Sequence, residues 1–254
     1  MKNPFARSTL QTYWWNETPN FGDALAPLLL EHFSDLKVEW AAISHARIAS
    51  IGSILEHIPP LWDGYILGSG RLKENSGLHL CGIRSGVTAK ILALRGPLTA
   101  KSIPGTYALG DPGILANELV GMQEKKYDLG VLPHFSDTTL YPKYLGLIPK
   151  KSAMRLIHPS GDPLTVLREI GACHRIVTSS LHGMIVADAF GIPRKVEYSR
   201  NMDKDGGDFK FRDYSASIQM PFVPGKMAEP NRLIVEDLKF SIYDAFRALA
   251  AVSK

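Results

Sequence analysis

The stretch VTSSLHGMIVADAFGIP, from Val177 to Pro193, decides the fold. It opens with residues typical of a strand, passes through two serines, and continues as an apolar helical segment that a glycine ends. A strand that turns directly into a helix is the repeating unit of a parallel α/β sheet. The same junction presents the free backbone N–H groups of a helix N-terminus, which attract anions. The stretch therefore predicts both a fold class and a place for an anionic ligand.

The rest of the chain alternates between short apolar strands and helical segments, without a repeating sequence period. The strand candidates are Thr9–Trp15, Ala46–Gly52, Asp63–Gly70, Leu78–Ile83, Ala89–Gly96, Thr106–Leu109, Asp128–Phe135, Ala153–Pro159, His174–Ser180 and Arg194–Tyr198. The helix candidates are Asp23–Phe33, Gly96–Ile103, Asp162–Cys173, His182–Phe190 and Arg232–Val252. This alternation predicts parallel sheets with helices on both faces.

A polar interval, Gly121–Asp128, separates two halves, and the strand–helix alternation starts again after it. We therefore predict an α/β protein of two Rossmann-like domains that face a cleft. The N-terminal domain is expected over residues 1–120 and the C-terminal domain over residues 121–254. An apolar stripe along Arg232–Val252 predicts a long C-terminal helix.

Composition narrows the class of protein. The chain has 254 residues, 45% of them hydrophobic, and a net charge of +4. No apolar run is long enough to span a bilayer, and no apolar segment follows Lys2 and Arg7, so no secretory signal is expected. A mild positive charge suits an anionic ligand, and the absence of a basic stripe argues against nucleic acid. The two cysteines form no CxxC pair, which fits a reducing compartment.

Polar side chains suited to chemistry follow the predicted strands at their carboxyl ends, where ligands bind in such folds. In chain order they are Asn20, Asp23, Arg95, Asp111, His134, Ser179, Ser180 and His182. The fork of an arginine matches a phosphate or a carboxylate, and a histidine in the first turn of a helix can donate a proton. We interpret this clustering as one binding site.

Each of these residues also has an ordinary structural interpretation. Ser180 and Asp23 are good helix N-caps, and Arg95 suits an ion pair with a nearby acid. Asp111 begins the turn LGDPG, where an aspartate is common. For Ser180 and His182 the strand–turn–helix position favours the anion site, while for Arg95 both interpretations stay open.

The segment GGDFKFRDY, Gly206–Tyr214, places Lys210 and Arg212 among aromatic residues. Their charge suits the same pocket, and the alternative is an exposed strand edge, where charges are ordinary. The other histidines, His57 among them, fit no metal-ligand spacing, so no metal is predicted. The chain lacks Walker A, G-x-G-x-x-G and G-x-S-x-G patterns, which argues against P-loop, dinucleotide and serine hydrolase sites.

An ordered set of motifs resembles the polysaccharide pyruvyl transferase family. The motifs are NFGDAL (Asn20–Leu25), ALRGPLT (Ala93–Thr99), LGDPGIL (Leu109–Leu115), VLPHF (Val131–Phe135), VTSSLHGMIVADAFGIP and DFKFRDY (Asp208–Tyr214). The resemblance implies a glycosyltransferase-B-like fold. It implies phosphoenolpyruvate as donor substrate and a pyruvate ketal on a saccharide as product, with no cofactor and no metal.

The resemblance also implies residue roles. The family's arginine of the RG motif corresponds to Arg95, its histidine of the LHG motif to His182, and its late lysine to Lys210. The chemistry of pyruvyl transfer needs an acid and a base, for which we predict His182 as the acid and Asp23 or Asp111 as the base. Together with the residues at the strand ends and in Gly206–Tyr214, the predicted substrate-binding residues are Arg95, Ser179, Ser180, Lys210, Asn20, Asp111, His134 and Arg212. Many members carry arginine directly before LH, where this chain has Ser180, so the phosphate loses one expected guanidinium.

Two other functions stay open from the sequence. One is a nucleotide-sugar glycosyltransferase on the same architecture, and the other is a non-catalytic saccharide-binding relative, to which Ser180 lends weight. The implied acceptor is a saccharide, free or lipid-linked, with at most peripheral membrane contact and no nucleic acid partner. The expected location is the cytoplasm, including the inner face of the membrane. The sequence leaves the acceptor sugar and the oligomeric state open.

Overall fold

Six strands of the N-terminal half form a sheet in which all neighbours are parallel. They are β1 (Thr9–Tyr13), β2 (Lys37–Trp40), β3 (Ile48–Ala49), β4 (Tyr65–Leu67), β5 (Lys90–Leu94) and β6 (Ala108–Leu109). The strand order is β2-β1-β3-β4-β5-β6. The chain runs from β1 to β2 on one side and then crosses to β3 on the other. The order therefore reverses between β1 and β3, where α/β sheets bind ligands.

Five strands of the C-terminal half form a second sheet. They are β7 (Leu129–Leu132), β8 (Met154–Leu156), β9 (Ile176–Thr178), β10 (Arg194–Val196) and β11 (Met227–Ala228). Their order is β11-β10-β9-β7-β8, and only the β10–β11 pair is antiparallel. Here the order reverses at β7, which has β8 on one side and β9 on the other.

This computed structural model describes residues 9–74, 89–101, 103–137, 139–145, 153–197 and 206–252. The helices in these ranges are α1 (Leu25–Ser34), α2 (Pro97–Ala100), α3 (Leu140–Leu145), α4 (Pro163–Gly171), α5 (Leu181–Ala189), α6 (Phe209–Ser217) and α7 (Arg232–Val252). Two 3₁₀ helices span Leu55–His57 and Pro112–Leu119. Across these ranges no helix combines the length and apolar composition needed to cross a membrane.

Every residue of helix α5 is buried, which agrees with its largely apolar sequence. It packs against β9, β10 and the 3₁₀ helix Pro112–Leu119. That 3₁₀ helix also contacts α1, α4 and α7, and so lies between helices of both halves. Buried apolar residues from both sheets form one continuous cluster, which includes Leu67 of the first sheet and Ile176 of the second. The terminal helix α7 packs on α1, β4, β5 and β6, and so covers the N-terminal sheet.

The predicted α/β class with two mostly parallel sheets is confirmed. The terminal helix has the predicted bounds. The predicted cap of α4 is also present, because Asp162 Oδ2 accepts from the Thr165 N–H at 2.9 Å. The two-domain cleft and the boundary at residue 120 stay predictions. The candidate strand Leu78–Ile83 lies outside the described residues.

Two local expectations are wrong. Asp23 does not cap α1: Ala24 occupies the N-cap position and no side chain caps the helix. The alternative of an exposed strand edge for Gly206–Tyr214 also fails, because this segment leads into the largely buried helix α6. An i, i+4 ion pair between Asp208 and Arg212, 2.9 Å long, supports the helical conformation.

Candidate active site

A pocket of about 350 Å³ lies at the carboxyl ends of strands from both sheets. We call it the central pocket, and its lining residues are Trp15, Asn20, Asp23, Gly52, Ser53, Ile54, His57, Leu72, His134, Phe135, Ser180, Leu181, His182 and Lys210. Most of these residues follow β1, β3, β7 or β9, the strands at which the order of each sheet reverses. The pocket therefore occupies the position that general α/β architecture assigns to a ligand.

Helix α5 presents its N-terminus to the central pocket. Ser180 is the N-cap, and its Oγ accepts from the Gly183 N–H at 3.4 Å. Ser180 and Leu181 line the pocket, so the positive end of the helix dipole lies at its wall. The capping and anion-site interpretations of Ser180 are thus compatible.

Ser179 has a different position from Ser180, because its hydroxyl is engaged by protein groups. The Oγ donates to Asp137 Oδ2 at 2.6 Å and accepts from the His134 N–H at 2.9 Å. Ser179 is not among the lining residues. We infer that it holds the loop after β7, and with it the His134 side chain, against the end of β9.

His182 is buried in the pocket wall and faces a buried carboxyl group. Its Nε2 lies 3.9 Å from Asp111 Oδ2, too far for a hydrogen bond, and neither atom has a hydrogen-bond partner among the residues that the structure describes. Burial lowers the pKa of His182 to about 3. The positive charges of Lys210, Arg95 and His134 act in the same direction. The imidazole is therefore neutral at neutral pH.

The first βα turn approaches this imidazole through a glycine. A Cβ placed on Gly22 would lie 2.1 Å from Nδ1 of His182, well inside van der Waals contact. The glycine of the motif NFGD is thus required by the close approach of backbone and ring. The contact joins a loop of the N-terminal half to the helix that carries the histidine.

Asp23 is a buried carboxyl group with an unusual protonation state. Asn20 Nδ2 donates to its Oδ2 at 2.7 Å. Burial raises the pKa of Asp23 to about 7, and the negative charge of Asp111 adds to this effect. Lys210 and the hydrogen bond from Asn20 oppose the rise in pKa. A carboxyl group that titrates near neutral pH suits proton transfer.

Asp111 is fully buried behind the lining residues. Its Oδ1 accepts from the Gly113 N–H at 2.8 Å, so it caps the 3₁₀ helix Pro112–Leu119. Burial raises the pKa of Asp111 to about 6, against the hydrogen bond from Gly113 and the charge of Arg95, which lower it. The turn interpretation of Asp111 is correct, and its second oxygen additionally faces His182.

The basic residues divide into one that lines the pocket and two that do not. Lys210, on α6, is buried and part of the wall. Arg95 is fully buried but absent from the lining, and its Nε donates to Asp213 Oδ2 at 3.0 Å. Arg212 also lies outside the lining and pairs with Asp208 and Glu74. The described residues include no group of three or more His, Cys, Asp or Glu side chains placed to hold a metal ion.

Residues 88–194 match the family model described as polysaccharide pyruvyl transferase. The matched segment runs from the start of β5 to β10 and contains Arg95, Asp111, His134 and His182. This segment of the chain is similar to the polysaccharide pyruvyl transferase family.

Two curated relatives extend the similarity beyond that segment. The chain is 27% identical over 231 residues to the succinoglycan biosynthesis protein ExoV of Rhizobium meliloti (strain 1021), covering 87% of this chain and 68% of that protein. It is 24% identical over 219 residues to the uncharacterized protein L143 of Acanthamoeba polyphaga mimivirus, covering 82% and 74% respectively. Both alignments cover more of the chain than the family segment.

The central pocket also contains residues that the sequence analysis did not predict. His57, treated above as unremarkable, lines the central pocket, with its ring centroid 5.6 Å from that of Trp15. Ser53 lines it as well, in a glycine-containing loop after β3. Position in the chain was the available signal for Ser53 and for Trp15, the ring neighbour of His57. Each of these two residues lies shortly after the carboxyl end of a strand.

Proposed function

We propose that the central pocket binds phosphoenolpyruvate beside a saccharide and forms a pyruvate ketal on two sugar hydroxyl groups. The observation that carries this proposal is one pocket with a cationic wall and buried proton-transfer groups. Lys210 and the N-terminus of α5 lie next to Asp23 and His182 in the lining. Similarity of residues 88–194 to the polysaccharide pyruvyl transferase model supports pyruvyl transfer, and similarity to a succinoglycan biosynthesis protein supports an exopolysaccharide acceptor.

The two walls of the pocket suit the two substrates. The C-terminal wall contributes Lys210, Ser180 and the positive helix end, which match the phosphate and carboxylate of the donor. The N-terminal wall contributes the Trp15 indole, whose face packs well against the C–H groups of a sugar ring. Asn20 and Asp23 on the same wall offer hydrogen bonds to hydroxyl groups. We assign the donor to the C-terminal wall and the acceptor to the N-terminal wall.

The proposed reaction conserves atoms and charge without a redox partner. A proton adds to the methylene carbon of phosphoenolpyruvate, and a sugar oxygen bonds to the carbon that carries the phosphate. That carbon then loses inorganic phosphate and bonds a second sugar oxygen. Of the two hydroxyl protons released, one replaces the proton used at the methylene and the other leaves with the products. The chemistry needs one acid, one base and cations for the anionic groups.

The protonation states of the two side chains favour Asp23 as the acid and His182 as the base. Asp23 keeps its proton up to about pH 7, whereas the neutral His182 has a ring nitrogen free of protons. This reverses the acid and base roles predicted from the sequence. We therefore propose Asp23 as the group that protonates the donor, and keep His182 as acid for the alternative that the pH dependence below distinguishes.

A direct assay tests the proposed function. The protein is mixed with phosphoenolpyruvate and a panel of free and lipid-linked saccharides, and phosphate release is followed together with acceptor mass. We expect phosphate release that depends on the acceptor and an acceptor heavier by one pyruvyl ketal. Lys210→Gln should raise the KM for phosphoenolpyruvate at least tenfold, about the effect of losing one charge-assisted hydrogen bond. The matched variant Lys101→Gln alters an exposed lysine on α2's end and should behave as wild type.

Two results would contradict the proposal. One is turnover of a nucleotide sugar with no use of phosphoenolpyruvate, which favours a glycosyltransferase. The other is saccharide binding without turnover of either donor, which favours a non-catalytic relative.

A further inference from the structure

We infer that Arg95 is a positioning residue that, with Thr99 and Asp213, forms a buried clamp holding Lys210 and Ser53 in the pocket wall. We call Arg95, Thr99 and Asp213 the Asp213 clamp. The inference rests on the proposed function in one respect, because it takes phosphoenolpyruvate as the ligand of Lys210. It differs from the role implied by the family resemblance, in which Arg95 itself binds substrate.

The clamp is built on one carboxylate. Asp213 Oδ2 accepts from Arg95 Nε at 3.0 Å and from Thr99 Oγ1 at 2.7 Å. Its Oδ1 accepts from the Thr99 N–H at 2.9 Å. All three residues are fully buried. A buried charge needs such partners, because an unpaired carboxylate out of water is strongly unfavourable.

The remaining nitrogens of Arg95 also bind protein groups. Nη1 donates to Ser53 Oγ at 2.7 Å, and Nη2 donates to the Arg71 carbonyl oxygen at 2.6 Å. The guanidinium thus directs its fork at the protein and not at the pocket. To bind a phosphate directly, Arg95 would have to give up buried partners, whereas its present contacts place the Ser53 hydroxyl in the pocket lining.

The clamp reaches Lys210 through helix α6. Lys210 and Asp213 are three residues apart and so lie on one face of the helix. The backbone approaches closely here too, since a Cβ on Gly96 would lie 2.1 Å from the Asp213 carbonyl oxygen. The motifs ALRGPLT and DFKFRDY are therefore one structural unit, although Arg95 and Asp213 are 118 positions apart.

Variants of Thr99 can distinguish a positioning role of Arg95 from direct substrate binding by Arg95. Thr99 contacts Asp213 but does not line the pocket. Thr99→Val removes the hydroxyl bond to Asp213, and Thr99→Ser keeps it. Thr165→Val is a matched control, since Thr165 Oγ1 makes the same kind of bond to Asp162 at 2.8 Å on the exposed side of helix α4. We expect Thr99→Val to weaken phosphoenolpyruvate binding several-fold by isothermal titration, with Thr99→Ser and Thr165→Val near wild type.

A readout without substrate keeps this inference separate from the proposed function. Asp23 has Lys210 and Asp111 as charged neighbours, lies near Tyr13, and shares the pocket lining with His182. If the clamp places Lys210, loosening it removes a nearby positive charge, so the pKa of Asp23 should rise. Carboxyl ¹³C NMR titration of the unliganded protein measures this directly. We expect an upward shift in Thr99→Val and none in Thr99→Ser or Thr165→Val.

The outcomes are distinct. An unchanged Asp23 titration and unchanged donor binding in Thr99→Val, with loss of donor binding in Arg95→Lys, would overturn the clamp and make Arg95 a direct ligand. A shifted Asp23 titration in a protein that binds no phosphoenolpyruvate would support the clamp and contradict the proposed function. Should Thr99→Val not fold, Arg95→Lys keeps the buried charge and gives the same NMR readout, where an unchanged titration contradicts the inference.

Discussion

At the residue scale, burial determines the chemistry of the pocket. Asp23 and His182 are both buried in the lining, and burial disfavours the charged form of each. The aspartate therefore holds a proton near neutral pH while the histidine does not. Two groups with pKa values pushed apart in this way can act as an acid and base pair at one pH.

The pH dependence of kcat/KM tests this pairing. If Asp23 is the acid, it must be protonated, so kcat/KM should fall as pH rises through about 7, the pKa to which burial raises this carboxyl. If His182 is the acid and Asp23 the base, kcat/KM should instead rise with pH across this same part of the profile. Asp23→Asn is the control, in which most of the activity and the change in kcat/KM near pH 7 should both be lost. Steady-state kinetics from pH 5 to 9 in one mixed buffer measure the sign.

At the element scale, the N-termini of α5 and α4 are capped alike but have different surroundings. Ser180 and Asp162 are both side-chain N-caps, of α5 and α4 respectively. Only the N-terminus of α5 lies at the central pocket, between Leu181 in the lining and the end of β9. The cap of α4 is exposed and lies outside the pocket lining.

Removal of these two caps should therefore have different consequences. Ser180→Ala and Asp162→Ala should each lower the free energy of unfolding by about 1 kcal/mol, the usual cost of a lost N-cap. Only Ser180→Ala should also weaken phosphoenolpyruvate binding, because it alters the anion site. Denaturant unfolding and isothermal titration measure the two effects. Equal donor binding in both variants would show that Ser180 is a cap alone.

At the scale of the whole molecule, one core connects the two halves. The buried apolar cluster contains residues of both sheets, and α7, the last element of the chain, packs on the N-terminal sheet. Ile242 of α7 is fully buried, and a Cβ on Gly110 would lie 2.9 Å from its side chain. A helix that belongs to the C-terminal half by sequence thus completes the core of the N-terminal half.

This packing predicts a single unfolding transition. All four tryptophans lie in the first 62 residues, so tryptophan fluorescence reports the N-terminal half, whereas far-UV circular dichroism reports both halves. The two curves should coincide. Ile242→Ala should lower the free energy of unfolding by about 2–5 kcal/mol and shift both curves together. Leu233→Ala, on the exposed face of α7, should leave them unchanged. Separate transitions would contradict a shared core.

Much of the local structure followed from short-range patterns. Asp162 and Pro163 indicate the start of helix α4, and the apolar stripe of Arg232–Val252 indicates α7. Both could be predicted because caps and helical periodicity are local properties of the chain. The short strand β2 was missed, since only one of its four residues is even half-buried and it lacks a clear pattern. The helix at Phe209–Ser217 was also missed as a helix, because it is held by packing and not by its own periodicity.

The sequence alone predicted the α/β class, the strand ends that carry the polar residues, and the resemblance of its motifs to the polysaccharide pyruvyl transferase family. These depend on the order and spacing of nearby residues, which a linear chain contains. The tertiary structure alone decided that Arg95 faces Asp213, that Gly22 touches the His182 ring, and that Asp23 keeps a proton near pH 7. Each of these facts depends on contact between distant segments or on exclusion from water. Both arise only when the chain has folded.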